Sequence, residues 1–566
     1  MFQKREFRTR RHFMVALLTT FLSPLCAVAY DVTDEAMWRE LERYAPELTR
    51  AQDGREPFLV TLFAINRTPP EVQRSILETI YNKIIATNLY KDLTAKVRTF
   101  KRFSLCEQER ATMGKRGAGC KKAVEKLLKK SITPKQLPRI GICMSGGGMR
   151  AATSGDGFLK GLAATGLLDA ALYLASLSGS TWLCAPWITS GESSYTPFAD
   201  ELLVRVSKGI LGQSFSSQLL DLGTCSTVIL ESFLRHLAFN ELPTVIDLYG
   251  LMLGLTLLST EDKKQMMLVD LTSQTKCVSN GQTPLPIYSA VYVRDDGEKN
   301  IYDWVEFSPF EVSCYSQGTA VPAWAFGRSF ENGVSKNAAP PLPLCYLMGV
   351  WGSAISISCG ELFNMIVHNI KPQFLFDPLK LILQATLIGD VRLFPATVRN
   401  VAYGLSQSPD QKMPIRTIID AGIHCNLPVA PLLYRNLDII IIGDFSSDLT
   451  NAPELKKAEA YAHKHKLPFP QINYNGISTR TCSIFKDPNG KAPTIVYVPL
   501  IKNAGYSASF DPAELMQIGH FMSVLNFYYS LDEARRAAGL MEYTMTELSA
   551  ELTNLIAQVV VKKAAA

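Results

Sequence analysis

The sequence predicts an α/β fold: a central, largely parallel sheet covered by helices. Two observations carry this. Arg139–Met144, Ala171–Leu177, Ile415–Ile419 and Asp438–Gly443 are apolar segments of strand length, and helical patterns fill much of the chain between them, the arrangement of a parallel sheet covered on both faces. At 566 residues, 47% hydrophobic and 19% charged, the chain is long enough for one broad core plus attachments, and it shows no internal repeat.

In chain order, residues 1–29 have the form of a cleaved secretory signal. Lys4, Arg5, Arg8, Arg10 and Arg11 precede the apolar run Phe13–Leu22 and the small-residue end Ala27-Val-Ala29. The alternative, an uncleaved anchor, is opposed by the shortness of the run and by Pro24 near its end. Cleavage predicts a mature chain starting near Tyr30, exported to a periplasm or secreted and peripheral at membranes. Its net charge falls from +6 to +2, because five basic residues and one acidic residue leave.

Residues 30–137 read as a separate helical N-terminal region. Thr68-Pro-Pro-Glu71 opens a pattern with Ile76, Leu77, Ile80, Tyr81 and Ile84 at helical spacing. From Lys96 to Arg139 there are fourteen Lys or Arg against three Glu, either a surface for anionic lipid headgroups or a solvated helical face. The twelve cysteines form no CxxC and no Cys/His ligand pattern, so neither a metal nor a cofactor is expected. Cys106 and Cys120 flank an expected loop and would pair if oxidised, whereas Cys143, Cys345 and Cys359 read as buried small hydrophobes.

The chemistry-bearing stretch is Gly141–Trp182. The strand Ile140–Met144 runs into Ser145-Gly-Gly-Gly148 and then Met149-Arg150. Three glycines permit positive φ and bare amides, so consecutive N–H groups can face one anion at the mouth of a helix. A plain strand-to-helix loop is the alternative. No Gly-Lys-Ser/Thr follows, and the spacing is not that of a dinucleotide turn. About thirty residues later the strand Ala171–Leu177 meets Ser178, followed by the small Gly179 and Ser180 and by Thr181-Trp182, which would open a helix. This is strand, turn, helix, the setting of a nucleophile elbow, although Ser176 and Ser180 stand where such elbows carry glycine. By itself SLSGS is also an ordinary serine-rich turn.

These residues resemble a family. SGGGMRA followed by GLLD and YLASLSGSTW is similar to the catalytic domain of group IV cytosolic phospholipases A2, related to fungal phospholipase B. Asp303–Pro309, Leu347–Ala354, Ile419–Gly422, Asn426–Pro428 and Leu437–Ser446 continue the likeness in order, over roughly residues 138 to 545. The resemblance implies a patatin-like phospholipase fold with a cap, and a Ser/Asp dyad of Ser178 as nucleophile and Asp420 as base. It also implies an oxyanion hole from Gly147 and Gly148, and Arg150 near the substrate phosphate. Asp420 ends an apolar strand before Ala-Gly, where a carboxylate emerges into the loops; an Asx turn or helix cap is its other reading. Ser176 and Ala421 depart from the family pattern.

The expected function is release of fatty acids from glycerophospholipids or lysophospholipids, through an acyl-enzyme, at a phospholipid membrane surface, with a small-molecule lipid as substrate and no nucleic-acid partner. Nothing resembles the β-sandwich calcium module of several relatives, so activity without calcium is expected. One alternative is an inactive lipid-binding protein on the same fold. Another is a Ser-His-Asp esterase, for which His520 is the best placed of the seven histidines. Tyr249–Leu258 and Phe363–Phe394 are expected to line the cap, with Ser406–Gln411 as a mobile rim. Residues 138–545 then form the catalytic domain and 546–566 a C-terminal helix or tail.

Overall fold

The computed structural model describes residues 70–208, 235–236, 238–239, 241, 244–258, 263–295, 300–354, 395–524 and 526–565. Within them the chain forms one large mixed sheet. Its strands are β1 (Arg98–Thr99), β2 (Ile140–Met144), β3 (Ala171–Leu177), β4 (Leu285–Asp295), β5 (Asn300–Phe307), β6 (Glu311–Cys314) and β7 (Thr319–Pro322). After the two-stranded ribbon β8 (Phe330–Glu331) and β9 (Val334–Ser335) come β10 (Thr397–Arg399), β11 (Ile415–Asp420), β12 (Ile439–Asp444), β13 (Ser483–Phe485) and β14 (Thr494–Pro499).

The centre of the sheet is parallel, in the order β14-β12-β2-β3-β4. Every residue of β2, β3 and β12 is buried, as strands covered on both faces must be. Antiparallel strands flank this core, β5, β6, β7 and β1 on one side and β13 on the other. The α/β expectation holds. One of its four strands differs in sense: β11 runs antiparallel to β4 and forms a ladder with β10.

That sense decides where the chemistry sits. One edge of β4 pairs with β5; the other is shared by two strands. β3 runs parallel along Leu285–Ser289 and ends with Leu177 opposite Ser289. β11 comes from the opposite direction along Val293–Ala290 and ends with Asp420 opposite Ala290. The two strands meet head-on at adjacent rungs of β4. Ser178 and Asp420, more than two hundred residues apart in sequence, are brought to one junction by the register of a single strand.

The helix Met149–Ala164 follows the glycine turn and is buried along most of its length. It packs on the helix Leu531–Glu547 so closely that a Cβ at Gly157 would lie 1.8 Å from the carbonyl oxygen of Ala538. The C-terminal part of the chain thus props the helix whose N-terminus faces the site.

The described part of residues 30–137 is built into the same core. β1 pairs with β7, and the helix Glu107–Leu128 buries Glu109 and Arg116. Arg435 joins Glu109 at 2.8 Å to Glu306 at 2.9 Å. So the basic run is not wholly a solvated face: Arg116 is an internal strut. Cys106 caps that helix and Cys120 lies within it, both as free thiols. Fourteen residues of helix hold them about 21 Å apart, which overturns the expected pairing.

Candidate active site

Ser178 occupies the expected elbow. It follows β3, opens the single turn Ser178–Ser180 and leads into the helix Thr181–Ser190. Its φ of 50° lies in the left-handed region, sparsely populated for a residue with a Cβ. The surroundings hold it there. Thr181 Oγ1 donates to Ser178 O at 2.7 Å, and Ser180 Oγ accepts from Leu177 N and donates to Met144 O at 2.9 Å. Ser180, in a usual glycine position, therefore stitches the elbow to β2. Ser176, the other departure, stays within the ladder between Met144 and Tyr288, its Oγ buried without a hydrogen-bond partner.

The glycine turn lies against this elbow. A Cβ at Gly179 would sit 2.1 Å from Gly148 O, so only glycine permits the approach. Gly147 and Gly148 have φ of 146° and 61°, and Gly148 is the N-cap of Met149–Ala164. Among the described residues neither amide donates to a protein acceptor. The turn is otherwise tied down: Ser145 N donates to Gly443 O and Phe445 N donates to Ser145 Oγ.

Asp420 is wholly buried. Its Oδ1 accepts from Gly422 N at 2.7 Å, and its own N–H donates to Ser353 Oγ at 3.1 Å. Burial pushes its carboxyl up to about 6, opposed first by the Ser178 hydroxyl and then by the amides of Gly422 and Ala354. Oδ2 nevertheless has no hydrogen bond of normal geometry. The hydroxyl is thus near enough to favour the carboxylate without being aligned on it. Free site groups commonly stand this way and tighten when substrate is bound.

Arg150, expected near the substrate phosphate, is buried among protein acceptors. It has no exposed surface, and donates from Nε to Phe445 O at 2.8 Å, from Nη1 to Met522 O at 2.7 Å and from Nη2 to Ser447 Oγ at 3.0 Å. It braces the loop after β12 and the segment around Met522 against the glycine turn.

Among the described residues, the groups acting on Asp420 include no histidine. His520 is exposed; His424 stacks on Tyr302, and His236 is paired with Asp247 and Glu241. Tyr249–Leu258 falls in the helix Val245–Leu257, packed on Leu344–Trp351, while Phe363–Phe394 lies outside the described residues. Ser406–Gln411 is no free rim. Asn400 Nδ2 donates to Asp410 O, and Asp410 is buried against Arg416.

Sequence reasoning passed over Asn426. Its Oδ1 accepts from Gly146 N at 3.1 Å, and its Nδ2 donates to Gly146 O at 3.1 Å and to Ser446 Oγ at 2.8 Å. The signal was its place six residues after Asp420 in a block already singled out. Asp444, closing β12, accepts from Ser446 and Tyr497 and stands behind this network as a structural acid.

The fold and its junction define a class: an α/β protein centred on a serine elbow that faces a buried carboxylate. Residues 140–458, more than half of the chain, match the lysophospholipase catalytic domain family, and the chain belongs to that family. It is similar to human cytosolic phospholipase A2 zeta, 27% identical over 527 residues, covering 78% of this chain and 60% of the relative. Mouse cytosolic phospholipase A2 epsilon is 26% identical over 488 residues, covering 74% and 54%. The chain thus spans little more than half the length of these relatives. Among solved structures, human GIVD cytosolic phospholipase A2 superposes with a TM-score of 0.69 at 24% identity, covering 82% of this chain and 66% of that one. The same enzyme in complex with methyl gamma-linolenyl fluorophosphonate superposes with a TM-score of 0.63 at 24% identity, covering 83% and 66%. At these identities the likeness is one of fold.

The relatives correct one expectation. They are named as cytosolic enzymes, which overturns the exported placement read from the N-terminal segment. Residues 1–29, on which that placement rested, lie outside the described residues. No described helix is long and apolar enough to cross a membrane.

Proposed function

We propose that this protein is a serine acyl hydrolase that releases fatty acids from glycerophospholipids or lysophospholipids, with Ser178 as nucleophile and Asp420 as its general base. The observation that carries the reading is the head-on meeting of β3 and β11, which sets an elbow serine against a buried carboxylate beside two uncommitted glycine amides. The family supports it, as does a fold relative solved with a lipid fluorophosphonate, a reagent class that phosphonylates activated serines.

In this mechanism Ser178 Oγ attacks the ester carbonyl carbon while Asp420 takes the hydroxyl proton. The amides of Gly147 and Gly148 receive the negative charge on the carbonyl oxygen, where preorganised donors contribute most. The tetrahedral intermediate collapses and the ester C–O bond breaks. Asp420 returns its proton to the departing glycerol oxygen, leaving Ser178 acylated. A water, deprotonated by Asp420, attacks the acyl carbon; the bond from that carbon to Ser178 Oγ breaks, Asp420 returns the proton to Ser178 Oγ, and the fatty acid is released. A carboxyl near 6 is a stronger base than an ordinary aspartate yet remains largely ionised at neutral pH. Arg150 serves as the brace of the amide-bearing turn.

The partner is a phospholipid surface. Ile518, Val524 and Tyr528 are exposed at 87%, 41% and 47% on the segment whose Met522 O meets Arg150 and whose Val524 O lies beside Gly148. Exposed apolar side chains on a segment that packs against the glycine turn suit contact with acyl chains.

The test is fatty-acid release from phosphatidylcholine and lysophosphatidylcholine by wild type and Ser178→Ala. Loss of about 10⁵-fold or more is expected. Unchanged turnover in the variant would end the Ser178 assignment, and no turnover by either protein would favour a lipid carrier on the same fold.

A further inference from the structure

We propose that Asn426 is a positioning residue of this site: its carboxamide sets the direction of the Gly147 amide and ties the glycine turn to the turn that carries Asp420. The inference rests on the hydrolase reading above.

Asn426 grips Gly146 at both of its backbone polar groups, accepting from its N–H and donating to its carbonyl. The Gly146 carbonyl and the Gly147 N–H belong to one peptide plane, where a trans bond points them in opposite directions. Holding that carbonyl therefore fixes the Gly147 N–H on the far side, away from Asn426. Without the grip only the neighbouring Ser145 Oγ, at 3.2 Å, still holds that carbonyl, and the plane can swing further about the glycine dihedrals. An oxyanion donor that must reorient during the reaction loses the advantage of preorganisation.

The carboxamide also lies close to the other two parties. A Cβ at Gly146 would lie 2.5 Å from both Asn426 Oδ1 and Ser178 Cβ, so Gly146 is wedged between them. A Cβ at Gly422 would lie 2.8 Å from Asn426 Oδ1 and 3.1 Å from Asp420 Oδ1, which puts the two oxygens within about 6 Å of each other. Asn426 is itself held from behind. Its N–H donates to Glu454 Oε2 at 2.6 Å, and the Ser446 that receives its second donor is fixed by Asp444 at 2.6 Å, which in turn accepts from Tyr497. A chain of hydrogen bonds thus runs from β14 to the oxyanion turn.

Only an amide meets all three demands, one acceptor and two donors. A carboxylate of the same shape can accept from Gly146 N but cannot donate to Gly146 O or Ser446. It would also add a negative charge near Asp420, in a neighbourhood that also holds Glu454 with its partner Lys457, Asp444, His424, Cys425 and the buried Tyr249. A like charge there disfavours ionisation of the base.

The experiment compares Asn426→Asp and Asn426→Ala with wild type and Ser178→Ala on a soluble short-chain ester, recording kcat, KM, the pH profile, the inactivation rate by a fluorophosphonate and the melting temperature. Both Asn426 variants should lose about 10- to 100-fold in kcat with KM nearly unchanged, and react correspondingly slowly with the fluorophosphonate. Asn426→Asp should in addition move the acidic limb of the profile upward, which a purely structural role does not predict. If Asn426→Ala fails to fold, Asn426→Asp decides. The proposal is overturned if a folded Asn426→Asp keeps wild-type kcat and pH profile, or if neither variant folds. Turnover by Ser178→Ala would instead sink the hydrolase reading; a dead Ser178→Ala beside a wild-type-like Asn426→Asp sinks only the role of Asn426.

Discussion

β3 is anchored at one end and reactive at the other. At its start, Arg116 is buried and spends all five of its N–H donors on carbonyls: Nε on Ala171 O, Nη1 on Gly281 O and Gln282 O, Nη2 on Leu168 O and Asp169 O. At its finish, seven residues on, Asp420 Oδ2 has no partner, the Gly147 and Gly148 amides are uncommitted and Ser178 stands at φ 50°. One strand joins a fully satisfied polar cluster to a deliberately unsatisfied one. Buried polar groups left unpaired lower stability, and in the proposed mechanism the substrate supplies the partners missing at this strand end.

The largest test of this contrast removes the base. Asp420→Asn keeps the shape of the side chain and should lower kcat by about 10³-fold. It should also stabilise the fold. Burial raises the Asp420 carboxyl from 3.8 to about 6, so between those values the folded protein holds a proton that the unfolded chain has released. Stability therefore falls as pH rises through that window, and at pH 7 the ionised group costs about 3 kcal/mol. Thermal unfolding at pH 7 should show the variant melting above wild type, with the difference shrinking below pH 4. A lower melting temperature would place Asp420 among the satisfied groups instead.

The reverse experiment is made at the other end of the strand. Arg116→Met removes all five of these hydrogen bonds, leaving Leu168 O with Ala171 N and Ala171 O with Cys120 Sγ, and should destabilise the protein by about 3–5 kcal/mol. The kcat of the fraction that remains folded should stay within about twofold of wild type, because nothing at Ala171 reaches the ester. Denaturant unfolding together with active-site titration separates the two quantities. A fall in kcat per titrated site would mean that the two ends of β3 are coupled.

The two ends also differ in how far they could be read from sequence. Ser178, the glycine turn and Asp420 were singled out through the ordered blocks that resemble a family; local chemistry by itself also fits a serine-rich turn, a plain strand-to-helix loop and an Asx turn. Arg116 was hidden in a run of fourteen basic residues, since nothing local distinguishes an arginine that will be buried from its solvated neighbours. The direction of β11 was equally hidden. Its apolar residues suit a strand of either sense, and the sense is fixed by pairing with β4 more than a hundred residues earlier. Ser406–Gln411 reads as polar loop, yet Arg416 and Asn400 draw it inward. Asn426 went unread for the same reason, its partner Gly146 being 280 positions away.

The smallest effect is expected at the rim, where the comparison extends from buried polar groups to exposed apolar ones. Ile518 stands almost fully in water, next to Gly519 at φ 92°. An exposed isoleucine gains nothing for the isolated protein, just as an orphaned carboxylate oxygen does not; both are completed by what binds. Ile518→Asp should therefore leave the melting temperature and the kcat toward a soluble short-chain ester unchanged, while lowering hydrolysis of phosphatidylcholine vesicles about 5-fold, the order expected for losing one side chain's burial of about 1 kcal/mol and adding a charge. Equal rates on vesicles and soluble ester for this variant would show that lipid reaches Ser178 by a route other than the segment beside Gly148.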